Sequence, residues 1–160
     1  MLDQYGRSID YLRISVTDRC NLRCRYCMPE HVDTVRHDDI LRYEEILRIC
    51  RAAAKLGITK FKITGGEPLV RAGCVELIAA LKKHRGTEQV TLTTNGLLLE
   101  KNLDALTAAG LDGVNISLDT LDAERYARIS GCLGGAEALR SIMRVLEECC
   151  GRGLRTKVNA

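Results

Sequence analysis

A chain of 160 residues with 46% hydrophobic and 28% charged side chains has the length and composition of one globular domain, which excludes long-range disorder. Fourteen glycines against two prolines exclude collagen-like and proline-rich linker classes, and no apolar run approaches the roughly 18 residues that a membrane span needs. A net charge of +3 from scattered basic residues, with no Trp and one Phe, argues against a module that stacks nucleic-acid bases on aromatics and leaves room for a phosphorylated ligand.

The N-terminus, Met1-Leu2-Asp3-Gln4-Tyr5-Gly6, lacks an apolar signal core, so a cytoplasmic location is expected. Residues 11–17 (YLRISVT) alternate, with Leu12, Ile14 and Val16 on one face, and predict a strand. Residues 43–56 carry Ile46, Ile49, Cys50 and Ala53 at a helical period and stop at Gly57. Residues 60–64 (KFKIT) read as a second strand, and 72–84 as a helix with Val75, Ile78 and Leu81 inward. A third strand at 89–94 precedes a helix at 99–109, built on Leu99, Leu103 and Leu106. A fourth strand at 113–118 leads to a short helix at 122–129 and a long one at 135–150. The long helix aligns Leu139, Ile142, Met143, Leu146 and Cys150, and 155–159 begins a fifth strand.

One junction recurs: LGITKFKIT at 56–64, AGLDGVNIS at 109–117 and GRGLRTKVN at 151–159 each stop a helix at Gly and enter a strand. A degenerate helix-to-strand repeat predicts a parallel sheet with helical crossovers. Five strands are too few to close an eight-stranded barrel. The expected fold class is therefore α/β: a partial (β/α) TIM-like barrel of about five parallel strands, with outer helices and an open edge. A chain that stops at Ala160, at its fifth strand, reads as one partial-barrel domain, residues 1–160, the N-terminal part of a longer protein.

Ligands of such sheets bind at the C-terminal ends of the strands. Those ends carry Asp18 to Cys27, then Gly65-Gly66-Glu67-Pro68, then Asn95-Gly96, then Ser117-Leu118-Asp119. Of the eight cysteines, Cys20, Cys24 and Cys27 form a C-x3-C-x2-C triplet. Thiolates suit iron–sulfur clusters and zinc. Three ligands on a four-iron cluster leave one iron open to a small molecule, whereas a Cys3His zinc site completed by His31 is the competing assignment. Cys50, Cys74, Cys132, Cys149 and Cys150 read as structural thiols. Gly65 and Gly66 fit either a tight turn or a close backbone approach to a ligand.

The triplet with Tyr26 before its last Cys, together with Gly65-Gly66-Glu67-Pro68, resembles the radical S-adenosylmethionine (SAM) enzymes. More narrowly, LRISVTDRCNLRCRYCMP at 12–29, ITGGEPLVR at 63–71, LTTNGLLL at 92–99, GLDGVNISLDTLD at 110–122 and KVN at 157–159 resemble the molybdenum cofactor biosynthesis protein A family of GTP 3',8-cyclases. That resemblance implies a barrel of the radical SAM type and a radical cyclisation of GTP, a lyase reaction that opens molybdenum cofactor biosynthesis. By matched position, Cys20, Cys24 and Cys27 would ligate a 4Fe-4S cluster whose open iron takes SAM. Tyr26, Gly65, Gly66, Glu67 and Ser117 would contact SAM, and Arg13, Lys62, Thr93 and Lys157 would contact GTP. Lys62 stands where the family commonly has Arg, so the charge is kept and the bidentate fork is lost. The family's second cluster lies on C-terminal cysteines outside these residues, so it is not expected in this chain.

The expected partners are GTP as substrate, a reducing electron donor and, downstream, cyclic pyranopterin monophosphate synthase. A homodimer remains open, and neither nucleic acid nor a membrane is expected. Two other readings compete: a radical SAM enzyme with a different substrate, and a fragment that binds cluster or nucleotide without turnover.

Overall fold

The computed structural model describes residues 2–27 and 35–160. Five strands, β1 (Tyr11–Ser15), β2 (Lys60–Thr64), β3 (Gln89–Thr94), β4 (Gly113–Ser117) and β5 (Arg155–Asn159), form one open sheet in chain order. Every neighbouring pair is parallel. The crossovers carry α1 (Tyr43–Lys55), α2 (Cys74–Lys83), α3 (Leu99–Ala108), α4 (Ala123–Ser130) and α5 (Gly135–Gly151). Strand order equal to chain order means that each right-handed crossover advances the same way, which is how a sheet begins to curl into a barrel. Among the described residues, no helix is long and apolar enough to cross a membrane.

Strand alternation separates the two faces. Phe61, Ile63, Val90, Leu92, Val114 and Ile116 are buried against the helices. The alternate positions hold Arg13, Lys62, Thr91, Thr93, Asn115 and Lys157, none of them buried. Register then fixes rows across the sheet. Arg13 lies beside Lys62, Lys62 beside Thr91, Thr91 beside Gly113 and Gly113 beside Arg155. The next row runs from Thr93 to Asn115 to Lys157. Fully apolar strands would have called for a helix layer on both sides; these call for one.

The strands and helices agree with the sequence pattern, with differences at their margins. The first strand ends at Ser15 instead of residue 17, and Val16 and Thr17 turn away buried, at 1% and 6% exposure. On α5 the buried stripe is Leu139, Ile142, Val145 and Cys149. Cys150 is exposed, which corrects its placement on the apolar stripe and its reading as a buried structural thiol. The 3.6-residue repeat puts 142, 145 and 149 in line, so the choice between the vicinal cysteines turns on helix phase. Ile49 of α1 likewise faces solvent, while Ile46, Cys50 and Ala53 are buried. Cys50, Cys74 and Cys149 sit in the core, their thiols pushed up by burial to about 11, about 12 and about 11. Cys132 is half-buried.

The central strand sets the test of this core. Leu92 is fully buried, so Leu92→Ala should cost about 2–5 kcal/mol in urea unfolding. Val158→Ala at the exposed edge should change little, within about 0.5 kcal/mol. A Leu92→Ala loss no larger than that of Val158→Ala would contradict the packing.

Candidate functional site

The loop after β1 is tied to three other strand ends and one helix. The Gly66 amide donates to the Thr17 carbonyl at 2.6 Å and the Glu67 amide to the Arg19 carbonyl at 2.8 Å, joining it to the turn after β2. The Asn95 side chain donates to Asn21 Oδ1 at 2.8 Å, joining it to the end of β3. The Tyr26 hydroxyl donates to Asp119 Oδ2 at 2.9 Å, joining it to the end of β4. The Arg23 and Arg25 amides donate to the carbonyls of Ser130 and Ile129, both at 3.0 Å, laying the loop along the last turn of α4. Leu22, only 6% exposed, anchors its middle.

The paired glycines are explained by this docking. A Cβ on Gly65 would stand 2.6 Å from the Thr17 carbonyl oxygen, and one on Gly66 would stand 2.3 Å from that of Arg19. Any side chain at either position would push the cysteine loop off the sheet. The close approach the glycines allow is thus first of all that of the chain's own backbone.

Glu67 is fully buried and spends its carboxylate inside the protein. Its Oε1 accepts from the Leu69 amide at 3.1 Å, its Oε2 from the Asn95 amide at 2.7 Å, and the Thr94 hydroxyl lies 2.9 Å from both oxygens. Desolvation holds its carboxyl above the ordinary carboxylate range, against the downward pull of these bonds.

Cys20 and Cys24 are half-buried and Cys27 is exposed. Burial pushes the Cys24 thiol above its usual value, and charge on Cys20, Asp119 and Cys27 adds to the shift, so Cys24 lies within electrostatic reach of both other cysteines. Cys20 Sγ already accepts from the Leu22 amide at 3.4 Å and from Asn95 Nδ2 at 3.7 Å. Among the described residues, no three Cys, His, Asp or Glu side chains are closed up as a metal site. His31, the candidate fourth zinc ligand, lies outside the described residues. The donor set itself fits an iron–sulfur cluster: soft sulfur ligands from one short loop, with N–H donors aimed at one of them.

Below this mouth, the uncovered face of the sheet is cationic. A pocket of about 190 Å³ is lined by Tyr11, Lys62, Thr91, Asn115, Arg155 and Lys157, among others. Lys62 Nζ lies 5.7 Å from the centre of the Tyr11 ring. None of the alternate strand positions on this face is Asp or Glu. The structure thus brings Lys62 and Lys157 to one pocket, with Arg13 beside Lys62 on β1. Thr93 and Ser117 lie nearer the mouth on β3 and β4. Arg155 and Asn115 are polar groups of the site that the sequence pattern did not single out, whereas Asn95 stands at the strand end where it was expected. Strand alternation from Lys157 would have placed Arg155 on the same face.

Residues 14–160 match the Radical SAM superfamily. A "GTP 3',8-cyclase" of Petrotoga mobilis is 54% identical over 148 residues, covering 92% of this chain and 46% of the relative. One of Clostridium perfringens is 46% identical over 160 residues, covering 99% and 48%. The chain therefore spans about half the length of the curated relatives it matches. Streptococcus suis SuiB bound to precursor peptide SuiA superposes with a TM-score of 0.77 at 22% identity, covering 94% of this chain and 32% of that one. Native anSMEcpe with bound AdoMet gives 0.71 at 20%, covering 92% and 43%. Both likenesses concern the fold.

The Glu67 hub carries a pH signature. Its folded carboxyl is raised above the ordinary 4.5, so the native state holds this proton more tightly than the unfolded chain does. Its contribution to stability is then complete in acid below that value and is lost as pH rises through the folded pKa. Urea unfolding of wild type and Glu67→Gln across acid to neutral pH should show wild type losing ground to the variant as pH rises. Wild type gaining ground would mean that the hydrogen bonds, and not desolvation, govern the charge.

Proposed function

The chain belongs to the radical SAM superfamily, and from that premise we propose that it is the N-terminal, SAM-handling half of a GTP 3',8-cyclase acting in the cytoplasm at the first step of molybdenum cofactor synthesis. The observation that carries the GTP assignment is the inner sheet face. Besides Lys60, which pairs with Asp10, four cations, Arg13, Lys62, Arg155 and Lys157, stand on it with no carboxylate at the alternating positions. Like charges gathered without counter-ions favour a polyanionic ligand, and a triphosphate satisfies several of them at once. Identity of 54% to a relative bearing that name supports the same reading.

In this reading Cys20, Cys24 and Cys27 hold a 4Fe-4S cluster, and Tyr26, Gly65, Gly66 and Ser117 form the SAM side of the mouth, with Glu67 buried behind them. When bound, the cluster supplies the electron that splits the SAM sulfonium bond. The protein's own work is positional. Gly65 and Gly66 let the cysteine loop lie flat on the sheet. Glu67 acts from behind, fixing the turns after β2 and β3 rather than facing the mouth. Tyr26, through Asp119, ties the last part of the loop to the end of β4, where Ser117 sits. Arg13, Lys62, Lys157 and Arg155 orient the triphosphate, with Thr93 between phosphate row and mouth. The remaining half of such an enzyme would bring the second cluster, and this chain would hand its product to a cyclic pyranopterin monophosphate synthase. An external reductant and a second copy of the chain complete the proposed partners.

The chain reconstituted anaerobically with iron and sulfide, then reduced, should release 5'-deoxyadenosine from SAM. Cys20→Ala, Cys24→Ala and Cys27→Ala should each abolish the cluster. GTP binding, followed by calorimetry, should weaken about tenfold or more in Lys157→Ala or Lys62→Ala and fall with added salt. Tightly bound zinc without a cluster would overturn the radical reading. A SAM-cleaving cluster with GTP binding indifferent to both lysines would overturn the substrate alone.

A further inference from the structure

The backbone amide and both side-chain polar atoms of Asn95 are engaged, and one of the bonds ends on a cysteine sulfur. Its backbone amide is held by the buried Glu67 carboxylate at 2.7 Å. Its side-chain Oδ1 accepts from the Leu97 amide at 3.0 Å. That bond settles which way the amide faces, because an –NH2 there would meet another donor. The two hydrogens of Nδ2 therefore point the other way, one to Asn21 Oδ1 at 2.8 Å and one to Cys20 Sγ at 3.7 Å. The Leu22 amide reaches the same sulfur at 3.4 Å. Cys27, by contrast, is exposed, and Cys24 lies against the Tyr26 hydroxyl. Cys20 is thus singled out by a side chain that comes from another strand and is locked from behind.

We propose that Asn95 is a positioning residue for the cluster: its side-chain amide donates to the Cys20 sulfur and, once that sulfur is an iron ligand, raises the cluster's reduction potential. The inference rests on the cluster assignment made above. The physical reason is that an N–H directed at a ligand sulfur stabilises the reduced form, which carries one more negative charge, more than the oxidised form. Glu67 fixes the Asn95 backbone and the Leu97 amide, donating to Oδ1, fixes the side chain, so the Nδ2 donor is held in place.

The test is a redox titration of the reconstituted chain followed by electron paramagnetic resonance, on wild type, Asn95→Ala and Asn95→Asp. The aspartate keeps the acceptor for Leu97 while losing both side-chain donors. Expected are unchanged iron and sulfide content and a midpoint potential shifted to more negative values in both variants, further in the aspartate. A wild-type cluster that cleaves SAM beside variants of unchanged potential would overturn this inference and leave the function standing. Wild type that assembles no cluster would overturn both. Loss of the cluster, or of the native circular dichroism, in both variants would also overturn it, since Asn95 would then serve assembly or folding.

Discussion

A single buried carboxylate organises the mouth of this sheet. Glu67 follows two glycines at the end of β2 and reaches across to Thr94 and Asn95 at the end of β3, with its own next turn closed through Leu69. A carboxylate out of water is costly unless its lone pairs are filled. Here they are filled by two backbone amides and a hydroxyl from two different strand ends, so the cost is offset only when those ends are correctly juxtaposed. The arrangement acts as a geometric condition on the site. The Glu67 backbone amide extends that condition to the cysteine loop through Arg19, and Asn95 extends it to Cys20.

The rest of the molecule keeps this condition separate from general stability. The helices cover one face of the sheet with aliphatic side chains, and the core thiols Cys50, Cys74 and Cys149 behave there as small hydrophobes with raised pKa values. The other face is left polar and positive. Apart from Lys60, paired with Asp10, and Lys62, which lies over the Tyr11 ring, the cations of that face gain little from folding alone. Its residues become favourable only when an anion is present, which is the usual signature of a binding surface on an otherwise economical core.

Much of this was legible in the sequence. The alternation of β2 to β4, the helix stops at Gly57 and Gly110, and the cysteine spacing are local signals, and local signals set local structure. What escaped depended on tertiary partners. The motif directs Glu67 toward a cofactor, but its oxygens accept from Thr94 and Asn95, which are 27 and 28 residues away in the chain. The role of the glycine pair reads as ligand approach until the Thr17 and Arg19 carbonyls are seen against it. Cys149 and Cys150 differ by one step of helix phase, which periodicity over a mixed apolar stretch does not resolve. Arg155 was within reach, two residues before Lys157 on the same strand.

The cysteine loop illustrates why a catalytic ligand set is built on a loop yet held by elements. If its three thiols hold a cluster, as proposed, they must stay accessible to it and to a small molecule, which rules out burial in the helix layer. Accessibility alone would leave the loop free to wander. The solution in this chain is to satisfy the loop's backbone and its neighbours rather than its sulfurs: the ends of β2, β3 and β4 and the last turn of α4 each take one or two hydrogen bonds, and among the described residues only Cys20 takes a side-chain donor from another strand. Rigidity is supplied mainly by groups other than the sulfurs, which leaves their lone pairs free for the proposed cluster. Each strand end that positions the loop also carries a candidate SAM or GTP contact or lies next to one, so an error in loop placement would disturb ligand placement in the same direction. Sheet, loop and ligand side are in this sense one mechanical unit, with the buried glutamate at its centre.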